Sequence, residues 1–98
     1  MIYFMTKGHT LEHDVQTIIQ VFYPNMHYYV TQEPAPEGIT IESILEGEKA
    51  VAVFYENGVK KQQAQMLGKK QQWTEKEKKR VIKGAIYKLL KQKTQIRP

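Results

Sequence analysis

Histidine is the residue in this chain best suited to holding a metal or moving a proton, because the chain has three histidines and no cysteine. His9 and His13 lie four residues apart with Asp14 beside them, a spacing at which two imidazoles on one helix can bind a metal ion. His9, however, precedes the position where the first helix is expected to begin, and no H-E-x-x-H pattern is present. The alternative is that these histidines are solvated or lie near a helix cap, and no metal site is predicted.

No other arrangement of side chains indicates a reaction. The sequence has no Ser/His/Asp arrangement, no glycine-rich phosphate-binding loop and no paired carboxylates in a recognisable context. Without cysteine, the chain by itself cannot form a disulfide, an iron–sulfur cluster or a thiolate zinc site. We therefore predict no catalytic, cofactor-binding or metal-binding residue here, and expect no activity from this chain alone.

Positive charge is concentrated in the second part of the chain. Residues 58–98 carry 13 lysines and arginines against two acidic residues, whereas residues 1–57 carry two lysines against eight acidic residues. The net charges of the two parts are therefore +11 and −6, in agreement with the total of +5. Such asymmetry indicates an anionic partner, or a half that docks on something acidic. The candidate contact face consists of Lys69, Lys70, Lys76, Lys79, Arg80 and Lys83, and the alternative is a solvated helix face.

Nucleic acid is one partner that this basic face could bind. A lysine pair before a basic helix, and the order helix, three strands, helix over residues 11–93, resemble a double-stranded-RNA-binding domain. The strand expected at residues 26–31 does not fit that module. Base stacking is a weaker alternative, because Tyr28, Phe54 and Tyr55 lie in strands where a core needs bulk, and no RNP-like pattern is present. Phosphate binding would give an affinity that falls with salt.

The first part of the chain predicts a strand, a helix and a second strand. Residues 2–7 are rich in apolar and aromatic side chains, as is typical of a strand. A helix is expected from residue 11 to about residue 22, with Thr10 as its N-cap, because apolar residues recur on one helical face. Alternation over residues 26–31 predicts the second strand, and two prolines and a glycine make residues 33–38 a loop.

The middle of the chain predicts a meander of three strands. The first two cover residues 39–45 and 49–56, and the third begins after Asn57-Gly58. Both turn residues tolerate the positive φ of a type I′ turn, which makes this pair the strongest short hairpin signal. Residues 50–55 are apolar on both faces and predict the central strand, whereas the polar residues 59–67 predict an edge strand.

The final helix is expected to begin at Thr74 and to end near residue 93. Thr74-Glu75-Lys76-Glu77 matches a capping box, in which the threonine hydroxyl and the Glu77 backbone N–H pair. Apolar pairs repeat every four residues and form a stripe of Val81, Ile82, Ala85, Ile86, Leu89 and Leu90. Gly84 costs about 1 kcal/mol relative to alanine in this helix, and indicates either close packing or a tolerated surface position.

These elements give the order βαββββα, or βαβββα if one of the strands does not form, and an α+β fold. Strands joined by tight turns pair antiparallel, and two helices with one apolar stripe each most simply cover one face. We predict a two-layer sandwich, in which an antiparallel sheet of four to five strands carries both helices on one face. Residues 1–93 would form this single domain, and residues 94–98 the start of a linker to a missing downstream domain. No apolar run approaches the length of a membrane span and no signal peptide is visible, so a cytoplasmic setting is expected.

The early helix, the meander with its glycine-marked turns and the helix beginning at Thr74-Glu75-Lys76-Glu77 resemble the N-terminal region of one enzyme family. The family comprises the HemZ-type, oxygen-independent coproporphyrinogen III oxidase-like proteins, or coproporphyrinogen dehydrogenases. The resemblance continues through Ala85-Ile86-Tyr87-Lys88-Leu89-Leu90 and covers nearly the whole chain. In such proteins this stretch precedes a radical S-adenosylmethionine (SAM) barrel.

The resemblance implies a parent oxidoreductase that performs an oxidative decarboxylation in haem (porphyrin) biosynthesis, using SAM and a [4Fe–4S] cluster. That cluster needs a C-x₃-C-x₂-C type triad, so no catalytic or cofactor residue of the family can be carried over to a chain without cysteine. The implied role is that of a non-catalytic N-terminal accessory domain, whose partner is the downstream catalytic domain of the same chain. The close of the sequence at Pro98, directly after the last helix, fits a linker into that domain.

Overall fold

The computed structural model describes residues 1–68 and 74–94, and in them the chain forms two helices and one five-stranded sheet. In chain order the elements are β1 (Ile2–Lys7), α1 (Glu12–Phe22), β2 (Tyr28–Val30), β3 (Ile39–Glu46), β4 (Lys49–Glu56), β5 (Val59–Leu67) and α2 (Glu75–Thr94). The predicted order βαββββα and the α+β fold class are confirmed. The predicted linker at residues 94–98 lies outside the described residues except for Thr94, the last residue of α2. Neither described helix is long and apolar enough to cross a membrane.

The sheet is mixed, and the prediction of a wholly antiparallel sheet was wrong. The strand order is β2-β1-β3-β4-β5, and β1 pairs in parallel with both of its neighbours, so that Ile2 lies opposite Tyr28 and Ile39. Strands β3, β4 and β5 form the predicted antiparallel meander. Tight turns join only these last three strands. The connections from β1 to β2 and from β2 to β3 are long enough to return the chain to the same end of the sheet, which permits parallel pairing.

The central strand is β3, whereas the sequence predicted β4 for that position. Strand β4 lies between β3 and β5, and β5 is the edge strand that its polar residues predicted. Val51 and Val53 of β4 are only 8% and 4% exposed, although no helix covers their face of the sheet. An apolar run therefore identified an interior strand correctly, but it could not rank two interior strands by position.

Both helices pack on one face of the sheet and enclose a single hydrophobic cluster. From the sheet the cluster takes side chains that alternate along the strands, among them Ile2, Phe4, Ile41, Ala52 and Phe54. Helix α1 contributes Val15 and Ile19, and α2 contributes all six residues of its predicted apolar stripe, none more than 1% exposed. Each large aliphatic side chain buried in this way contributes roughly 1.5–3 kcal/mol. Helix α2 is therefore held on the sheet by its apolar stripe, not by its charges.

The loop between β2 and β3 packs over one end of the opposite face. The backbone N–H of Ala35 donates to Thr40 Oγ1 at 3.0 Å, and Thr40 is fully buried. Gly38 and Asn57 bond in both directions: the Gly38 N–H donates to Asn57 Oδ1 at 2.9 Å, and the Asn57 N–H donates to the Gly38 carbonyl at 2.8 Å. Asn57 and Gly58 have φ angles of 53° and 79°, which confirms the predicted turn geometry. The β4–β5 turn thus fastens the long loop to the sheet.

Gly84 marks close packing, which was one of the two predicted alternatives. A Cβ atom built at this position would lie 2.6 Å from Met66 Cε and 3.3 Å from Met66 Cγ. The Met66 side chain of β5 therefore lies against α2 where the helix has no side chain of its own. The same absence leaves a depression in the helix surface above Met66.

Candidate functional site

The start of α2 fixes where the basic side chains point. Thr74 Oγ1 accepts the backbone N–H of Glu77 at 3.2 Å, which confirms the predicted capping bond of the threonine hydroxyl. The Lys78 N–H donates to the Thr74 carbonyl at 3.0 Å and closes the first turn. Glu75 and Glu77 lie in that turn, where the positive end of the helix dipole favours acidic side chains. The start of the helix therefore fixes the positions of the following lysines around its circumference, relative to the buried apolar stripe.

Four of the six predicted contact residues lie in the described part of the chain. These are Lys76, Lys79, Arg80 and Lys83, whereas Lys69 and Lys70 lie outside it. Three of the four are exposed and Lys83 is half-buried. The helix thus presents a basic surface on the part of its circumference that the core does not use, and we call these four residues the basic face.

Asp14 of α1 lies between two lysines of the basic face. Its two carboxylate oxygens are each 3.7 Å from a lysine nitrogen, one from Lys79 Nζ and the other from Lys83 Nζ. The Asp14 side chain is 29% exposed, so each pair contributes at most about 1 kcal/mol. The structure therefore brings Lys79 and Lys83 together, but around a carboxylate that lowers the positive potential there.

Glu77 partly neutralises the other end of the basic face. Arg80 donates two hydrogen bonds to the Glu77 carboxylate, from Nε at 2.8 Å and from a terminal nitrogen at 2.9 Å, and this contact raises the pKa of Arg80. Lys76 has no carboxylate within ion-pair distance among the described residues. The four cations of the basic face thus meet two carboxylates, Asp14 and Glu77, and keep a net charge of +2.

The histidines form no metal site in the part of the chain that the structure describes, where no three acidic or histidine side chains are arranged to hold an ion. His9 instead organises the start of α1. Its Nδ1 accepts the Leu11 backbone N–H at 3.3 Å, and its Nε2 is 2.6 Å from Ser43 Oγ. The predicted N-cap, Thr10, was wrong, because α1 begins at Glu12 with Leu11 as N-cap and no side-chain cap bond.

The contact between His9 and Ser43 holds two elements together and does not activate a nucleophile. Since Nδ1 accepts the Leu11 N–H, the neutral imidazole carries its proton on Nε2 and donates it to Ser43 Oγ. A general base would need a lone pair, not a proton, facing the hydroxyl. Burial also lowers the pKa of His9, which keeps the ring neutral in this arrangement.

Sequence reasoning missed a buried carboxylate on the sheet face opposite the helices. Glu42 is 4% exposed, and its oxygens lie 3.4 Å from the Tyr55 hydroxyl and 3.2 Å from Lys7 Nζ. Burial and the neighbouring Glu42 carboxylate raise the pKa of Tyr55. The available signal was an acidic residue in the middle of a strand, between Ile41 and Ile44. Its partners could not be identified from spacing, because they lie on β1 and β4.

Aromatic side chains divide between the core and the surface. Phe54 is 2% exposed and belongs to the core, as its strand position indicated, and the half-buried Tyr28 packs on Phe4 with ring centroids 5.7 Å apart. Tyr29 and Tyr87 are the more exposed rings, at 47% and 49%. Tyr87 belongs to α2, so one aromatic ring accompanies the lysines on the helix surface.

Comparison of the chain with protein-family models, with curated proteins and with solved structures gives no match.

Proposed function

We propose that this chain is a non-catalytic N-terminal accessory domain of an oxygen-independent coproporphyrinogen III oxidase-like radical SAM enzyme of haem biosynthesis. Its role is to pack on, orient or gate the downstream catalytic domain, to which the oxidoreductase activity belongs. The proposal is supported by the resemblance of the early helix, the meander and the Thr74-capped helix to the N-terminal region of that family.

The implied cofactors do not fit the residues of this chain. Radical SAM clusters are held by cysteine thiolates, and the chain contains none. The described carboxylates and imidazoles form no group of three that could substitute for them. SAM and the [4Fe–4S] cluster are therefore assigned to the parent protein, and no step of the reaction is assigned to a residue here.

The observation that supports a docking role is the division of α2 into two faces. The apolar stripe lies in the domain's own core, since Val81, Ile86 and Leu89 are fully buried. Most of what remains on the helix surface is charged, including Lys76 and Lys88, both exposed. Interfaces between domains of one chain are more polar than obligate interfaces. A basic helix face over a filled core suits a contact with an acidic surface of a neighbouring domain.

The proposal predicts what the complete reading frame encodes. Sequencing the transcript that contains this chain should show a frame that continues beyond residue 98 into a segment with a C-x₃-C-x₂-C triad. The reason is that the cluster ligands must come from outside a chain that has no cysteine. A stop codon directly after Pro98, or a continuation without the triad, would overturn the proposal.

The complete protein also tests the accessory role itself. Purified without oxygen, it should convert coproporphyrinogen III with SAM, and deletion of residues 1–93 should lower turnover. The absorbance of the cluster should survive the deletion, because no cluster ligand lies in the deleted residues. Unchanged turnover after the deletion would contradict an orienting or gating role.

The alternative function is a nucleic-acid-binding module, and one structural feature favours it. Helix α1, the meander and α2 follow each other in the order of a double-stranded-RNA-binding domain, with both helices on one face. Two features weigh against it. Strands β1 and β2 extend the sheet beyond β3, and Asp14 and Glu77 partly neutralise the basic face. Binding to duplex phosphates depends on cations that release counterions, so a compensated face is poorly suited to it.

A further inference from the structure

A depression with an apolar floor and a basic rim lies on the outer side of α2. Apolar or small residues of three elements line its floor: Ile18 of α1, Met66 of β5, and Gly84 and Tyr87 of α2. Lys83, Lys88 and Lys91 complete the lining and form its rim. Its volume is about 550 Å³, within the range for pockets that take small ligands. Three different elements contribute to it, so its shape depends on the folded domain. We call it the Gly84 groove.

Two contacts give the Gly84 groove its floor. Met66 lies against the helix where Gly84 has no Cβ, which would lie 2.6 Å from the methionine's terminal methyl group. Tyr87 is held by an edge-to-face contact with Phe22, with ring centroids 5.4 Å apart and an interplanar angle of 69°. Methionine adapts its shape to different partners, and a positioned tyrosine is a common anchor of interfaces.

The charge around the groove is positive. Asp14 contacts Lys79 as well as Lys83, each at 3.7 Å, so these three groups retain a net charge of +1. Lys88 adds a further exposed ammonium group on the same helix. An occupant must therefore combine an apolar group for the floor with carboxylates or similar anions for the rim.

We propose that the Gly84 groove binds an acidic, amphipathic peptide segment of a partner protein. One large apolar side chain of the segment fills the groove over Met66 and Gly84, beside Tyr87, and flanking Asp or Glu side chains pair with Lys83 and Lys88. This inference goes beyond the accessory-domain proposal and does not depend on it.

Other anionic partners match these features less well. Duplex RNA supplies phosphates but no side chain for an apolar floor, so it would leave Ile18, Met66 and Tyr87 unused. An anionic bilayer attracts basic helices that present an exposed apolar face, whereas the apolar face of α2 is buried in the core and its remaining apolar surface is confined to the open groove. Charge complementarity together with a concave apolar floor thus favours a peptide.

The test is selection from a displayed library of random peptides about 12 residues long against this chain, followed by sequencing. The enriched peptides should carry a large apolar residue flanked by Asp or Glu. A synthetic peptide from the enriched set should bind the double variant Lys83→Gln/Lys88→Gln about tenfold more weakly than the wild type. No enrichment, or enrichment of neutral or basic peptides, would overturn the proposal.

Matched variants separate the groove from net charge. Lys60→Gln/Lys61→Gln also removes two positive charges, but near the start of β5, at the opposite end of the strand from Met66. This variant should change the affinity for the peptide less than about twofold. Equal losses in the two double variants would mean a general charge effect and would sink the proposal. The proposal would also fail if a 20-base-pair RNA duplex or phosphatidylglycerol-containing vesicles competed with the selected peptide. In that outcome, the binding of the duplex or vesicles would be weakened as much as the binding of the peptide by the substitutions at Lys83 and Lys88. Circular dichroism and thermal unfolding check that both variants remain folded.

Discussion

Glu42 is a single side chain that links three strands across the open face of the sheet. It lies on β3 and contacts Lys7 of β1 and Tyr55 of β4, at 3.2 and 3.4 Å. A carboxylate this far removed from water is stable only when its oxygens are paired, because removing one partner of a buried pair costs about 3–5 kcal/mol. The half-exposed Lys7 side chain supplies the opposite charge from the edge of the buried region. Pairing across three strands thus compensates a group that the fold buries.

Replacement of His9 by glutamine should flatten the dependence of stability on pH. Burial lowers the pKa of His9 in the folded chain below its ordinary value of 6.5. As the pH falls through 6.5, the unfolded chain therefore takes up a proton that the folded chain does not, and the free energy of unfolding decreases. Urea unfolding at about pH 7.5, 6.5 and 5.5 should show a steeper loss for the wild type than for His9→Gln.

The control for this measurement is His13→Gln, because His13 is exposed. The comparison uses slopes and not absolute stabilities, since His9→Gln also loses bonds to Leu11 and Ser43. Equal slopes for His9→Gln and the wild type would show that His9 titrates alike in the folded and unfolded chains.

At the scale of elements, the packing of β5 on α2 should limit the gain from Gly84→Ala. In a Met66→Ala background this substitution should stabilise the chain by about 1 kcal/mol, the difference in helix propensity between glycine and alanine. With Met66 present the gain should be smaller by about 0.5 kcal/mol, because Met66 Cε must move and Cγ lies 3.3 Å from the new atom. Urea unfolding of the wild type, the two single variants and the double variant forms a double-mutant cycle and measures the coupling free energy between the two substitutions.

A second cycle with Gln65→Ala provides the comparison. Gln65 neighbours Met66 on β5, but it is exposed and points to the opposite face of the sheet. Its coupling with Gly84→Ala should be close to zero. If both cycles give the same coupling, the contact between Met66 and α2 does not determine the effect of Gly84→Ala.

Patterns of residues close in sequence predicted most of the helices and strands, whereas contacts between residues distant in sequence determine how the strands pair. The apolar stripe from Val81 to Leu90, the Asn57-Gly58 turn and the Thr74 cap depend on residues close in sequence, and all three are confirmed. The parallel pairing of β1 was not predictable from spacing, because it depends on where a three-residue strand and a long loop place the chain. Likewise, the start of α1 is organised by His9, which accepts the Leu11 N–H and contacts Ser43, 34 residues away.

The candidate site shows the same limit at the scale of the whole molecule. The Glu77–Arg80 pair spans three residues of one helix and could be predicted from sequence alone. The partner of Lys79 and Lys83 is Asp14, on a helix some 65 residues earlier, which only the packing of α1 beside α2 brings close. The sequence therefore identified where the positive charge lies, but not how much of it the fold neutralises.

The chain as a whole should bind duplex RNA weakly, despite its net charge of +5. With the basic face at a net +2, a 20-base-pair duplex should bind no more tightly than about 10⁻⁴–10⁻⁶ M at physiological salt, the range of non-specific binding. Fluorescence anisotropy over a salt series measures this affinity. Lys76→Gln/Lys79→Gln and Lys60→Gln/Lys61→Gln should weaken it alike. Tight binding that is lost in Lys76→Gln/Lys79→Gln but not in Lys60→Gln/Lys61→Gln would favour the nucleic-acid alternative.

The position of β1 between β2 and β3 has a consequence for how the chain emerges from the ribosome. Strand β1 cannot acquire both neighbours until residue 46 has left the exit tunnel, whereas the hairpins of β3, β4 and β5 pair as soon as they appear. Ile2, Phe4 and Met5, each at most 2% exposed in the folded chain, remain uncovered throughout that delay. Within this domain, the nascent chain is therefore most open to aggregation, and most in need of a chaperone, at β1.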